Sequence, residues 1–198
     1  MKVVISGGTG GGTGVTVKEV TEDVTDGILL ECVRGDITAQ TGFDAVVNAA
    51  NAELRPGGGV AGAIHRAAGP GLDKECRAFA PIETGQAVIT GGHNLPNPYV
   101  IHVLGPVFGR EKDPAKKLAE AYTNALRRAE EKGLTSVAFP AISTGAFGYP
   151  VKEAAEIAFR TIINAAGELK SVRRIRFVLY SERDLAVHEE VLRKLVQS

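Results

Sequence analysis

Apolar residues along this chain fall alternately into short runs and helical stripes. Lys2-Val3-Val4-Ile5 is a short strand, and Val15-Thr16-Val17-Lys18-Glu19-Val20 alternates as a second. Ile28-Leu29-Leu30-Glu31-Cys32-Val33, Ala45-Val46-Val47, Gln86-Ala87-Val88-Ile89-Thr90 and Tyr99-Val100-Ile101-His102-Val103-Leu104 read as further strands. The last of these is nearly all apolar, as a central buried strand is. Ser136-Val137-Ala138-Phe139-Pro140-Ala141-Ile142 and Arg174-Ile175-Arg176-Phe177-Val178-Leu179-Tyr180 complete the set.

Helical spacing occupies the intervals. Val60, Ala63, Ile64, Ala67 and Ala68 form one small-residue stripe, and a second helix is expected over 72–79 after Pro70-Gly71. Asp113-Pro114 opens a long helix carrying Leu118, Ala121, Tyr122, Ala125, Leu126 and Ala129, with Gly133 placed to end it. Another begins with Pro150 in its first turn and turns Val151, Ala154, Ala155, Ala158 and Ile162 inward. The final helix carries Leu185, His188, Val191, Leu192 and Leu195 on one face, with His188 expected at that face's boundary. Strands alternating with helices predict an α/β fold, a largely parallel sheet between helical layers.

A length of 198 residues with 44% hydrophobic content suits one compact domain. Lys and Arg total 23 against 23 Asp and Glu, and the formal net charge of zero disfavours a nucleic-acid partner. No apolar run reaches membrane-spanning length and no leader pattern is present, so a cytoplasmic location is expected and no membrane partner. Cys32 and Cys76 lack metal-ligand spacing and read as reduced thiols, so no metal site and no cofactor are expected.

The chemistry concentrates where strands run into glycines. After Ala45-Val46-Val47 come Asn48 and Asn51, then Gly57-Gly58-Gly59-Val60 and a helix start. Glycines let backbone N–H groups approach a phosphate, and a helix N-terminus favours an anion. Each asparagine offers an acceptor and two donors, suited to a hydroxyl-rich sugar. A glycine-rich turn with asparagines as turn formers is the plainer alternative. Ser143-Thr144-Gly145-Ala146-Phe147-Gly148-Tyr149 repeats the pattern, and two such loops converging on one crevice match the two charges of a diphosphate. Arg55 is the only cation flanking either loop, so backbone donors carry the grip. Asp36, just past a strand end, is placed to accept from an exocyclic amine. Phe147 and Tyr149 are candidates for an apolar wall over the sugar, and Tyr180 for stacking on a base. His102 reads as a core or edge histidine. The glycines from Gly7 to Gly14 miss the G-x-G-x-x-G spacing and precede a strand; they read as a flexible connection or partly disordered segment with no assigned chemistry.

Taken together, Gly35-Asp36-Ile37-Thr38, Asp44-Ala45-Val46-Val47-Asn48-Ala49-Ala50-Asn51, Gly57-Gly58-Gly59-Val60, Ala63-Ile64 and the loop Ile142 through Pro150 resemble the macro domains, a family that binds ADP-ribose. The match runs over 28–198 and leaves 1–27 as a glycine-rich N-terminal extension. The resemblance implies a three-layer α/β/α sandwich with a mixed central sheet. It implies Asp36 on the adenine amine and Ile37 giving a backbone N–H. Gly57, Gly58, Gly59 and Val60 with Ser143, Thr144, Gly145, Ala146 and Phe147 would hold the diphosphate. Asn48 and Asn51 would lie by the distal ribose and Tyr180 against adenine. In family members resembling the MacroD type, an aspartate linked to hydrolysis follows the Gly-Gly-Gly-Val run; Ala61 stands there, as in archaeal-type members that bind ADP-ribose tightly.

Two functions follow as expectations. One is a monomeric module binding free ADP-ribose or ADP-ribosylated proteins. The other is a hydrolase of ADP-ribosyl esters, O-acetyl-ADP-ribose or ADP-ribose 1''-phosphate, favoured by a chain with no second domain to act as effector. Its candidate catalytic residues are Asn48, Asn51 and His65, with water activated by a substrate phosphate oxygen or by His65. An RNA- or poly(ADP-ribose)-associated role is a third, which the zero net charge does not encourage.

Overall fold

The computed structural model describes residues 1–7, 14–23 and 26–198. Most of the Gly7 to Gly14 run, expected as a flexible connection, lies outside the described residues. Eight strands form one sheet in the order β2-β1-β3-β8-β7-β4-β6-β5, where β1 is Lys2–Gly7, β2 Val15–Val20, β3 Ile28–Arg34, β4 Ala45–Ala49, β5 Ala87–Gly91, β6 Tyr99–Val103, β7 Ser136–Phe139 and β8 Arg174–Leu179. Pairings from β3 through β8, β7 and β4 to β6 are parallel. The outer pairings β2–β1, β1–β3 and β6–β5 are antiparallel. The sheet is mixed and largely parallel, as the alternation of elements requires.

Helices cover both faces. α1 (Gly59–Ala68) and α2 (Pro70–Cys76) lie on one side; α3 (Pro114–Glu131), α4 (Val151–Ala165) and α5 (Glu182–Gln197) lie on the other. The core under α3, α4 and α5 gathers Tyr122, Phe139, Phe159 and Phe177, whose rings meet stacked, tilted or edge-on at 4.9–6.0 Å. Val46, Leu54, Ile64, Leu72 and Val100 fill the core under α1 and α2.

Local chemistry sets the element ends. Gly133, at φ +66°, closes α3 in the left-handed conformation glycine tolerates best. Ser181 caps α5, its Oγ accepting from the Asp184 N–H at 3.1 Å. Pro140 removes the donor that would extend β7, which therefore stops at Phe139, short of the expected Ile142. α2 ends at Cys76, before the expected Phe79. Pro150 sits at the N-cap of α4, one place ahead of its first turn.

One expectation needs revising. His188 is not a boundary residue: it is fully buried, with Phe159 and Phe177 against its ring and its Nδ1 2.7 Å from the Asp184 carbonyl. The segment ahead of residue 28 supplies β1, which lies between β2 and β3 with Val3 and Ile5 in the larger core. No helix among the described residues is long and apolar enough to cross a membrane.

Candidate functional site

Parallel strands leave a crevice beyond their C-terminal ends, and here it opens past β3, β8 and β7. Arg34, Gly35 and Asp36 follow from β3, Pro140 and Ala141 from β7, and Leu179 and Tyr180 from β8. α1 closes one wall with Gly59, Val60, Ala63 and Arg66, and Thr144 and Gly145 of the second loop face it. The cavity measures about 830 Å³, within the usual size range for small-molecule sites.

The first loop is built to expose backbone. Asn51 fixes the turn that follows β4: its Oδ1 accepts from the Arg55 N–H at 2.9 Å and its Nδ2 donates to the Arg55 carbonyl at 2.8 Å. Within that turn Leu54 adopts φ +55° with its side chain fully buried. The chain then passes Gly57 and Gly58 and enters α1 at Gly59, φ +56°. Gly62 must lack a side chain, because a Cβ there would collide with the Gly57 carbonyl oxygen. No side chain caps α1 or α4, so their first N–H groups are left to solvent or ligand.

The second loop hangs from the α3 core. Tyr122, wholly buried, accepts the Ile142 N–H on its hydroxyl at 3.2 Å. Ser143 then takes φ +68°, and its carbonyl accepts from Tyr149 N–H at 2.9 Å while Gly145 accepts from Gly148 N–H at 3.0 Å. Gly105 gives way to this loop: a Cβ there would strike Ser143 Oγ. The Phe147 carbonyl is held by the Phe108 N–H at 2.9 Å.

At the other end Asp36 caps the short 3-10 turn Ile37–Ala39, its Oδ1 accepting from Thr38 Oγ1 at 2.7 Å and Thr38 N–H at 2.8 Å. Those two bonds, the hydroxyl's first, hold its carboxyl below the usual carboxylate range. A partly buried relay braces the turn: Glu31 pairs with Arg174 and Arg176, Arg176 donates to Gln40 Oε1 at 3.0 Å, and Gln40 donates to the Asp36 carbonyl at 2.7 Å.

The structure therefore brings Asp36, Ile37, Gly59, Val60, Thr144, Gly145 and Tyr180 into one crevice. Gly57, Gly58, Ser143, Ala146 and Phe147 belong to the two loops that flank it. Tyr180, 91% exposed, stands free at the mouth. Tyr149 does not wall the crevice; it is buried in the α3 core and packs on Phe108 at 4.9 Å.

The three candidate catalytic residues do not line it. Asn48 points inward from β4, fully buried, and its Nδ2 donates to His102 Nδ1 across the β4–β6 pair at 3.0 Å. Nδ1 being the acceptor, His102 carries its proton on Nε2, 2.9 Å from Thr90 Oγ1, which donates to the Gly91 carbonyl at 3.2 Å. Burial, and then His65, push His102 down to about 3. Asn51 has its amide committed to Arg55. His65 lies beneath α1 at 5% exposure, and neither ring nitrogen finds a partner among the described residues. Burial lowers its pKa, against the pull of Asp73, and so favours the neutral imidazole. Arg34, Arg66 and Asp184 line the crevice and were missed. Arg66 was legible, seven residues past Gly59 and on the stripe of Gly59 and Ala63.

Glycine loops that meet beyond the strand ends of an α/β/α sandwich define the class, an α/β domain with a ligand-sized crevice at its switch point. The Macro domain family model matches residues 47–158. Over 168 residues the chain is 46% identical to the O-acetyl-ADP-ribose deacetylase of Salmonella typhimurium, covering 82% of this chain and 93% of that one. The Oceanobacillus iheyensis macrodomain solved with ADP superposes with a TM-score of 0.83 at 43% identity, over 89% of this chain and 95% of that one. A Trypanosoma brucei macrodomain in complex with ADP-ribose gives 0.76 at 37%, over 81% and 68%. The chain belongs to the macro domain family.

Proposed function

We propose that the crevice binds ADP-ribose, free or attached to protein, with adenine toward Asp36, Ile37 and Tyr180 and the diphosphate between the two glycine loops. The observation that carries this is the joint lining of one cavity by Gly59 and Val60 from one loop and Thr144 and Gly145 from the other. Each helix start offers roughly half a positive charge and unpaired N–H groups, so the loops together suit two phosphates. Relatives solved with ADP and with ADP-ribose support the same ligand. The chain acts on it as a cytoplasmic monomer. Titration calorimetry with ADP-ribose and AMP tests this: ADP-ribose binds the more tightly, and equal affinities overturn the reading.

A second reading, ester hydrolysis, is favoured by the deacetylase among the relatives. Ala61 provides no carboxylate and His65 is buried beneath α1, so the base is a phosphate oxygen of the substrate. It takes a proton from a water that attacks the acetyl carbonyl of O-acetyl-ADP-ribose, giving acetate and ADP-ribose. Acetate release by the purified chain tests it; absence of turnover leaves binding alone.

A further inference from the structure

We infer that Arg66 supplies the side-chain counter-charge for the diphosphate, so that the grip is not carried by neutral backbone donors alone; this rests on the ADP-ribose reading. Four charged side chains line the crevice. Arg34 is paired with Glu182 at 2.9 Å, and Asp36 and Asp184 are carboxylates, which repel a phosphate. Arg66 is exposed on the wall of α1 and has no carboxylate within 4.0 Å among the described residues.

Its position assigns it to the phosphates. Helical side chains lean toward the helix N-terminus. Arg66 does so over Gly62: its Nη1 would stand 3.0 Å from a Cβ on that residue, the same Cβ that would collide with the Gly57 carbonyl. The guanidinium therefore lies along the first turns of α1, beside the glycine loop, where the helix N-terminus already favours negative charge. Gly62 thus serves twice, admitting both the Gly57 carbonyl and the cation. A planar guanidinium with five donors can meet a phosphate oxygen pair, which a lysine ammonium meets as a point charge. The lining thus offers the carboxylates of Asp36 and Asp184 for an amine and, unpaired among the described residues, the Arg66 cation for the phosphates.

The test compares Arg66→Ala and Arg66→Lys with the parent by calorimetry against ADP-ribose and adenosine, at low and high salt. Arg66→Ala weakens ADP-ribose about tenfold and flattens its salt dependence, leaves adenosine unchanged, and Arg66→Lys recovers part of the loss. Undiminished ADP-ribose affinity in Arg66→Ala, or an equal loss for adenosine, overturns the inference while the functional reading stands. A parent chain that binds no ADP-ribose overturns both. Unchanged thermal unfolding of the variants shows that the wall of α1 is intact.

Discussion

Asn51 holds the backbone of Arg55 at both its N–H and its carbonyl, so one side chain ties off the turn between β4 and the glycine loop. Asn51→Ala removes both bonds and frees Leu54 from its φ of +55°. Each bond contributes about 1 kcal/mol, so thermal unfolding shifts down by about 1–2 kcal/mol. ADP-ribose affinity falls about tenfold as the loop loses its pre-formed shape. Calorimetry and a thermal melt on the same variant measure both; full affinity with a lower melting point would confine Asn51 to stability.

Gly62→Ala reverses the usual helix trend. Alanine in a helix interior normally stabilises by about 1 kcal/mol relative to glycine. Here its methyl meets the Gly57 carbonyl and the Arg66 guanidinium, and overpacking costs about 1–3 kcal/mol. Chemical denaturation of the variant reports the sign: a lower midpoint with an unchanged slope is expected.

Tyr122→Phe leaves the ring packing with Phe139 and Phe177 intact and strips the Ile142 N–H of its acceptor. An orphaned buried donor costs about 1–3 kcal/mol. Amide exchange at Ile142 becomes faster than in the parent, and the loop from Ser143 to Tyr149 loosens with it.

Tyr180→Ala separates binding from folding. At 91% exposure the ring contributes nothing measurable to the core, so unfolding is unchanged. Loss of base stacking weakens ADP-ribose about five- to tenfold, as an aromatic contact of about 1 kcal/mol or more implies.

Acid weakens the fold through its buried imidazoles. His102, His65 and His188 all have folded pKa values lowered by burial, His102 to about 3. The unfolded chain binds protons on these rings below about pH 6.5 and the folded chain resists. Their contribution is complete above about pH 6.5 and is lost as pH falls through each folded pKa, which for His102 is about 3. His102→Gln makes the decline between those values shallower, which denaturation at a series of pH values measures.

Much of this was legible along the chain because local chemistry and tertiary demand coincide. The stripe Leu118, Ala121, Tyr122, Ala125 specifies α3, and Pro114 and Gly133 mark its ends. The glycine loops were legible because each follows a strand end and leads into a helix, and Gly59 and Gly148 take positive φ, which glycine tolerates best. Asn48 and Asn51 were harder to tell apart, being the same residue three places apart. Strand parity separates them: Asn48 shares the inward face of β4 with Val46, so it meets His102, whereas Asn51 lies past the strand end. The place of β1 was not legible, since its antiparallel pairing with both β2 and β3 depends on distant partners and leaves no local trace.

Where the proposed cradle consists of peptide N–H groups, alanine scanning falls nearly silent across the glycine loops. Gly57, Gly58, Gly59, Ala61, Gly145 and Ala146 offer such a survey nothing to remove. Apart from Arg66 and Tyr180 on the crevice lining, its signals would come from Asn51 and Tyr122, set behind the loops, and the contact map there would be displaced from the proposed contact. Amide-to-ester replacement at Gly59 or Gly145, which deletes one N–H and keeps every side chain, is the probe matched to this kind of grip.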